Sequence, residues 1–399
     1  MRFLTRLLRS PPEKLQKRHF CCTHPQAAKN MRLCYNKATG RNKNLMAQRQ
    51  KNSTQANAFL LDAALGEALT QWYTQNARAL PWRRDRNPYH VWLSEIMLQQ
   101  TRTEAVKPYY ERFLARLSDV FALARCTDEE LMKLWEGLGY YSRARRLKET
   151  ACAVVEKYGG RFPASYEELL CLPGIGPYTA GAIASICFNL PTPAVDGNVL
   201  RVIARVHGIF ESVDEPSVKK RVEDALRRIY PTVDAGDFTQ SIMELGATVC
   251  LPNGRPKCEL CPVAPLCAAL KNNAVSTLPV RTPKKKKLEE MRTVFLLRCG
   301  GQTAILKRAE TGLLGGLWEL PNVLGELDAQ QALDAAAAWG MFPVSLTGTL
   351  RRTHIFTHIV WRMTCHIIEC SRTDARFVWA DKSELSSRYA LPSAFRQFL

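Results

Sequence analysis

Apolar residues recur at helical spacing from Phe59 to about residue 248, and this periodicity constrains the fold more than any other feature. It first shows at Leu61, Leu65, Ala68, Leu69 and Trp72. Short Pro, Gly or Asp breaks separate further stretches at 90–99, 104–116, 128–138, 143–158, 165–170, 177–188, 197–207, 216–229 and 238–248. Alternating strand patterns are almost absent before residue 290, so residues 57–272 are predicted to form a mainly α-helical domain.

The sequence changes character after this helical part. Residues 276–290 contain two prolines and four consecutive lysines without apolar periodicity, which predicts a basic interdomain linker over 273–291. Strand composition follows at 292–299 and 303–308, an Ala-rich helical stretch at 328–339, and strand alternation at 355–368. Residues 292–399 are therefore predicted to be an α+β domain.

Residues 1–56 carry thirteen Lys or Arg against one acid, Glu13, and are predicted to be a disordered basic extension. The first ten residues place Phe3, Leu4, Leu7 and Leu8 on one helical face, which is typical of a mitochondrial presequence. A basic tail that helps to hold DNA is the alternative. Together with the lysine run 284–287, the extension permits both mitochondrial and nuclear residence, which is the predicted localisation.

A formal net charge of +19 over 399 residues favours a polyanionic partner, nucleic acid first and an anionic membrane second. No stretch approaches the roughly 18 apolar residues of a membrane span, so no membrane association is expected. Fourteen cysteines occur in a long, helix-rich chain without a secretory hydrophobic region. They are expected to be mostly free thiols in a reducing compartment.

The segment Leu172-Pro173-Gly174-Ile175-Gly176 lies between two helical stretches. Two glycines at this spacing allow a tight hairpin whose backbone N–H groups, next to a helix N-terminus, can hold a DNA phosphate. An ordinary helix–helix turn is the alternative.

Twenty residues after Gly176, Asp196-Gly197-Asn198 opens another helix. Asp196 is a natural N-cap, which is the ordinary interpretation of an Asp at this position. The functional interpretation places its carboxylate beneath a sugar ring, where it stabilises the positive charge that builds up as an N-glycosidic bond breaks.

The hairpin and the following Asp resemble the helix-hairpin-helix DNA glycosylase superfamily, and the nearest resemblance is to adenine DNA glycosylases of the MutY type. The resemblance is dense from Leu80 to Cys267 and looser in the second domain. It implies excision of adenine opposite 8-oxoguanine or guanine in double-stranded DNA, by a monomer. It also implies DNA contacts for Gly174, Gly176 and Asn198.

Superfamily members that also cut the strand carry a lysine two residues after the hairpin, because an amine must form a Schiff base with the opened sugar. Tyr178 stands there in this chain, so the resemblance implies a monofunctional enzyme that leaves an abasic site. Tyr178 is expected to hydrogen-bond near the sugar and Asp196, or else to pack its helix. An oxidised-pyrimidine glycosylase resembling endonuclease III is the enzymatic alternative.

Glu95 is the only acid in the apolar run 91–101, and burial there would raise its pKa as a general acid requires. An exposed Glu on a helix is the alternative, but the run resembles the family's SEVMLQQT motif, in which this Glu is the acid. The preceding segment resembles the family's adenine-pocket wall. Its apolar surface would come from Leu80 and Trp82, and its donors to the base edge from Arg78 and Arg83.

Four residues match family positions that push into the duplex around the mispair, namely Gln100, Thr101, Leu138 and Tyr140. Side chains that fill the gap left by an extruded base recover part of the stacking energy. Gly137 and Gly139 suggest an exposed loop around Tyr140, which favours a wedge over a core aromatic.

Four cysteines fall within eighteen residues, at Cys250, Cys258, Cys261 and Cys267, and this density points to metal or cluster ligation. Zinc usually prefers two CxxC pairs, whereas one is present here. The family pattern, C-x6-C-x2-C-x5-C around a [4Fe–4S] cluster, implies that cofactor. This chain has seven residues instead of six between the first two cysteines.

The second domain resembles a Nudix fold around residues 312–321. Active Nudix hydrolases hold metal ions with an Arg- and Glu-bearing helix, but the stretch 331–339 contains only one acid, Asp334. Lesion recognition is therefore expected instead of nucleotide hydrolysis. Phe356-Thr357-His358 matches the family's Phe-Ser-His loop, which contacts the oxidised guanine; a strand end with a satisfied His is the alternative.

A catalytically dead damage-binding scaffold is the competing hypothesis of another class. It would recruit repair and replication proteins through the linker and tails, which are expected partners in any case. The presence of both Glu95 and Asp196 argues against it.

Overall fold

The computed structural model describes residues 63–231, 233–283 and 286–399. Several predicted features lie outside the described residues: the extension 1–56 with the predicted presequence, the first periodic residues Phe59 and Leu61, and Lys284 and Lys285 of the lysine run. Their predicted roles in targeting and DNA binding stay predictions. All described residues belong to one compact unit, 54–399.

The first part of the described chain is helical, as predicted, and no described residue before Leu288 lies in a strand. Its helices are α1 (Ala63–Asn76), α2 (Pro88–Leu98), α3 (Thr103–Arg116), α4 (Val120–Arg125), α5 (Asp128–Trp135), α6 (Ser142–Tyr158), α7 (Tyr166–Leu170), α8 (Pro177–Phe188), α9 (Gly197–His207), α10 (Pro216–Ile229), α11 (Ala235–Thr248) and α12 (Ala268–Lys271).

The predicted helix 128–138 is too long, because α5 ends at Trp135. Gly137 and Gly139 follow with φ of 97° and 71°, which no right-handed helix allows. Helix α4 was not predicted, since its six residues are too few to show a period.

Two clusters of buried apolar side chains form the helical core. The first cluster contains side chains from helices α2 through α8, including Trp92, Phe113 and Trp135. The second contains side chains from α1 and from α9, α10 and α11, including Phe238. A small cluster with Val91 on α2 and residues of α8 lies against α11. This packing brings α2, α8, α9 and α11 around one cavity.

The C-terminal part is α+β, as predicted. Its elements are β1 (Leu288–Cys299), β2 (Gln302–Lys307), β3 (Trp318–Glu319), β4 (Asn322–Leu324), α13 (Ala329–Ala338), β5 (Pro343–Ile355), β6 (Ile359–Cys370), β7 (Val378–Ala380), α14 (Lys382–Ser387) and α15 (Ser393–Arg396). The strand order is β3-β2-β1-β6-β5, with β4 on β1 and β7 on β2. Alternate residues of β1 point to opposite faces, one packed on α13 and the other on α14 and α15.

The structure corrects the predicted linker 273–291 at both ends. Strand β1 already begins at Leu288, which pairs in parallel with Ile359 of β6. At the other end, Leu278 O accepts from Arg205 Nε at 2.8 Å, and Val280 O accepts from Val213 N at 3.0 Å. These residues are therefore bound to the helical part and do not span freely between domains.

The predicted strand 355–368 is also corrected. Ile355 ends β5, residues 356–358 turn, and β6 begins at Ile359. Strand β5 was not predicted, because all thirteen of its residues are exposed or half-buried and its burial does not alternate regularly.

Among the described residues, no helix is long and apolar enough to cross a bilayer.

Candidate active site

A cavity of about 560 Å³ lies where α2, α8, α9 and α11 meet. It is lined by many of the predicted site residues, namely Arg78, Leu80, Trp82, Arg83, Glu95, Gln100, Thr101, Tyr178, Asp196 and Asn198. Residues from distant parts of the chain therefore converge on one space that is large enough for a small organic group.

Glu95 enters this cavity from α2. That helix starts at Asn87, whose side chain accepts a hydrogen bond from Tyr89 N at 2.9 Å, and it is apolar on nearly all sides. Glu95 is consequently buried, with 8% of its surface exposed. Burial, assisted by the negative charge of Asp196, raises the pKa of Glu95 to about 7, although the hydrogen bond from Tyr178 and the positive charge of Arg83 lower it. At neutral pH a large fraction of this carboxyl therefore carries a proton.

The Tyr178 hydroxyl donates to Glu95 Oε2. Tyr178 was expected to bond near Asp196; its partner is Glu95, which lines the same cavity as Asp196. Burial and the neighbouring Glu95 raise the pKa of Tyr178 well above its ordinary range, so the phenol stays a donor.

Asp196 is the N-cap of α9 and also lines the cavity. Its ordinary role as a helix cap is therefore compatible with the predicted position of its carboxylate in the site. Its Oδ1 accepts from Val199 N at 2.7 Å, and its Oδ2 accepts from Asn198 Nδ2 at 2.7 Å. Burial raises its pKa, although these hydrogen bonds lower it. The carboxylate is thus fixed in position at the cavity wall; its role in catalysis stays a prediction.

The arginines predicted to face the base edge have a different partner. Arg78 Nε and Arg83 Nη2 bind the buried Glu244 on α11, at 2.6 and 2.8 Å. Burial raises the pKa of Glu244, but the two arginines outweigh it and hold the pKa below the usual value. The sequence reasoning missed Glu244, although it resembles Glu95 as an acid within an apolar helical stretch.

The residues predicted to form the apolar wall lie at the cavity. Leu80 and Trp82 are buried at the cavity, and Trp82 packs edge-on against Tyr110, with ring centroids 5.4 Å apart.

The predicted hairpin forms between α7 and α8. Gly174 has a φ of 77°, and Gly176 is the N-cap of α8, with open space where a Cβ would be. Both glycines line a second cavity of about 290 Å³, together with Ser142 and Arg146 of α6. Arg146 was not predicted, because no local pattern in the sequence relates it to the hairpin.

The predicted wedge residues separate into two groups. Gln100 and Tyr140 have positive φ values of 59° and 47° and are exposed, as a probing side chain requires. Thr101 lines the cavity and accepts a hydrogen bond from Arg143 at 3.3 Å. Leu138, in contrast, is 6% exposed and belongs to the core. The turn at Gly137 directs it inward. Its contact with the duplex stays a prediction.

The segment Phe356-Thr357-His358 forms the turn between β5 and β6. Phe356 packs against Trp361, with centroids 4.8 Å apart, and His358 is exposed. The Thr357 hydroxyl lies 3.0 Å from the Tyr140 hydroxyl, so two residues predicted to touch the mispair, 217 positions apart, are in contact.

Comparison with known proteins agrees with this arrangement. Residues 93–231 match the HhH-GPD superfamily base excision DNA repair proteins, and residues 293–399 match the NUDIX domain. The Mus musculus adenine DNA glycosylase is 38% identical over 349 residues, which cover 73% of this chain and 68% of that protein. The Schizosaccharomyces pombe adenine DNA glycosylase is 30% identical and covers 80% of this chain and 85% of its own.

The chain belongs to the adenine DNA glycosylases.

Among solved structures, an endonuclease III–DNA complex matches with a TM-score of 0.46 and 25% identity, covering 54% of this chain and 99% of that one. A thermostable thymine-DNA glycosylase matches with a TM-score of 0.48 and 29% identity, covering 52% and 95%.

In this adenine DNA glycosylase, the four predicted cysteine ligands line one small cavity between α9 and the loop that follows α11. None of the four forms a disulfide, and burial raises the pKa of Cys261 to about 11. A thiolate in that position needs the positive charge of a metal or a neighbouring cation. Arg205 supplies one such cation, with Nη1 3.2 Å from Cys250 Sγ.

Within the described residues, no three Cys, His, Asp or Glu side chains are placed to hold a single metal ion. A four-iron cluster needs a different arrangement, because each cysteine binds a separate iron and the sulfurs need not converge on one point. Four free thiols around one cavity, close to an arginine, offer the donor set that such a cluster would need.

Proposed function

We propose that the protein is a monofunctional glycosylase that removes adenine mispaired with 8-oxoguanine or guanine and leaves an abasic site. One observation carries this proposal: Glu95 and Asp196, from two helices, line the same cavity. Hydrolysis of an adenine nucleotide requires an acid for the base and an anion for the sugar, and these two groups supply them.

The hydrogen-bond partners support a division of labour between the two acids. Tyr178 donates to Glu95 Oε2, which leaves the other oxygen to carry the proton that passes to the adenine ring. As the bond from C1′ to the base breaks, its electron pair leaves with the protonated adenine. Asp196, held by Val199 and Asn198, stabilises the positive sugar, and water then gives its oxygen to C1′ and releases a proton.

The absence of strand cleavage is supported by the position of Tyr178. A lyase reaction needs an amine that forms a Schiff base, and no lysine is among the described residues that line the cavity. Leu80 and Trp82 provide an apolar wall for the flipped base.

Recognition of the opposite base is assigned to Gln100, Tyr140 and the turn Phe356-Thr357-His358. The contact between Tyr140 and Thr357 supports this assignment, because it brings two of these residues side by side. DNA backbone contacts are assigned to the hairpin glycines at the start of α8.

A [4Fe–4S] cluster is the proposed cofactor, held by Cys250, Cys258, Cys261 and Cys267. The cavity lies among apolar residues of α9 and α11 and far in sequence from Glu95. A cluster there would join the loop after α11 to α9 and present its basic residues to DNA.

The test is incubation with duplexes that carry adenine opposite 8-oxoguanine, guanine or thymine, with free adenine measured. Release from the first two and little from the third is expected. Glu95→Gln should bind the duplex but release no adenine, whereas Glu111→Gln, an exposed acid on α3, should match the natural protein. Full activity of Glu95→Gln, or an efficient covalent adduct with borohydride and abasic DNA, would contradict the proposal.

A further inference from the structure

A polar junction joins the segment after α5 to the end of the C-terminal domain. Glu136 Oε1 accepts from Leu391 N at 2.7 Å and from Arg396 Nη2 at 2.8 Å. Its other carboxylate oxygen lies 2.8 Å from Lys133 Nζ. One carboxylate thus satisfies two donors of the C-terminal domain and one of the helical domain.

The junction is not an ordinary surface ion pair. The side chains of Glu136 and Lys133 are only 10% and 17% exposed. Lys133 Nζ also donates to Leu385 O at 3.2 Å and Tyr389 O at 3.1 Å. Exposed ion pairs contribute little to the free energy of unfolding. Replacement of a buried carboxylate by a neutral group costs more, because its buried partners are left unpaired.

Glu136 lies four residues before Tyr140, and the loop between them has little freedom. Gly137 has a φ of 97°, and a Cβ there would come within 2.2 Å of the Tyr109 hydroxyl. At the far end, Tyr140 contacts Thr357 of the C-terminal domain. The loop is therefore held by that domain at both of its ends.

Arg143 connects this loop to the helix that carries Glu95. Its guanidinium donates to Leu138 O and Gly139 O, both at 3.1 Å. It also donates at 2.7–2.9 Å to the backbone oxygens that end α2, those of Ile96, Met97 and Gln99. A displacement of the loop would therefore act on the last turn of α2, directly after Glu95.

We infer that Glu136 is a positioning residue that couples the C-terminal domain to the Tyr140 loop and thereby sets the preference for adenine opposite 8-oxoguanine over adenine opposite guanine. This inference rests on the proposed function, because it takes the C-terminal domain as the lesion sensor. Glu136 itself lies away from the cavity and acts only through the loop.

The experiment compares single-turnover adenine release from the two duplexes for Glu136→Gln, Arg396→Met and the double variant. Glu130→Gln is the matched control, since Glu130 lies on α5 but pairs with Arg116 of the helical domain. Glu136→Gln should lower the ratio of the two rates about five- to tenfold, as expected for a coupling between sites. The double variant should lose no more than the larger single effect, and the control should not change.

An unchanged ratio in folded Glu136→Gln protein would overturn the inference, and so would an equal fall of both rates, which indicates a merely structural role. Hydrogen exchange in DNA-free protein provides a second readout. Residues 136–141 and 388–396 should exchange faster in Glu136→Gln, and unchanged exchange would also overturn the inference.

The failure of the proposed function has a separate signature. Natural protein that shows no preference for 8-oxoguanine would contradict lesion recognition, and with it the selectivity assigned to Glu136. The exchange result would then decide only whether Glu136 holds the loop to the C-terminal domain.

Discussion

At the scale of single residues, Glu95 is placed where its ionised form is disfavoured. Burial raises its pKa to about 7, and the single bond from Tyr178 does not offset this. The folded protein therefore holds a proton that the unfolded chain releases at neutral pH. The raised pKa that suits Glu95 to proton donation therefore lowers the free energy of unfolding at neutral pH.

This environment predicts a pH-dependent gain of stability in Glu95→Gln. Above about pH 7 the folded protein must ionise a buried carboxyl, which costs about 3 kcal/mol relative to the unfolded chain. Glutamine removes that cost, so the free energy of unfolding should rise by about this amount at pH 8 and hardly change near pH 4, where the acid is protonated in both states. Urea unfolding at both pH values measures it.

In the natural protein, adenine release should fall as pH rises through about 7, because the acid loses its proton. Equal stabilisation of Glu95→Gln at both pH values would show that the carboxyl is not perturbed as described.

Site residues with a local signature could be predicted from the sequence, whereas residues whose contacts depend on the fold could not. Glu95 and Asp196 were predicted because each has a local signature: Glu95 is an acid in an apolar run, and Asp196 opens the helix that begins twenty residues after the hairpin. Arg143 makes its bonds to backbone oxygens that leave no trace in the sequence. The inward direction of Leu138 depends on the φ of a neighbouring glycine, which side-chain pattern alone does not give.

At the scale of elements, the contact between α8 and the irregular segment before α9 positions Asp196. A Cβ on Gly181 would lie 2.3 Å from Pro193 O, so only glycine allows α8 to approach this closely. The segment runs from there directly into Asp196. The placement of the carboxylate therefore depends on the absence of a methyl group on α8.

Gly181→Ala should consequently reduce adenine release about tenfold or more, since displacement of a positioned catalytic group by about 1 Å has effects of this size. Overpacking should also lower the free energy of unfolding by about 1–3 kcal/mol. Gly66→Ala on α1 is the control: its Cβ would meet Phe238 at an ordinary 3.6 Å, and stability should be kept. Natural rates in Gly181→Ala would show that the backbone adapts without moving Asp196.

The helices were predicted closely because a 3.6-residue period extends over many residues and is independent of distant partners. Strands were predicted less well. β1 and β6 pair in parallel over eleven residues, and β5 pairs with β6 along an exposed edge, so their limits are set by partners and not by their own sequence.

At the scale of the whole molecule, the helical part has two clusters of buried side chains, and the cysteine loop packs against one of them. Val263, from this loop, packs into the core formed by α1 and α9–α11. A cofactor that binds only the folded arrangement stabilises it by mass action.

Cys258→Ser should therefore lower the iron content per chain and reduce the melting temperature by about 5 °C or more, which corresponds to a loss of about 2 kcal/mol. Cys299→Ser, in the C-terminal domain, is the control and should keep natural iron content. Iron analysis and thermal unfolding measure both effects. Natural protein that contains zinc and no iron would contradict the proposed cluster.

Within the described part of the chain, strand β5 forms one edge of the sheet, and its thirteen residues have no neighbouring strand on the outer side. Its register against β6 shifts twice, between residues 343 and 345 and between 346 and 348, and Arg351 and Arg352 stand exposed beyond the shifts. An uninterrupted margin would serve as a template for the same strand of another molecule. The irregular spacing and the two charges disfavour such stacking, so the sheet can stay open at this side without promoting aggregation at high protein concentration.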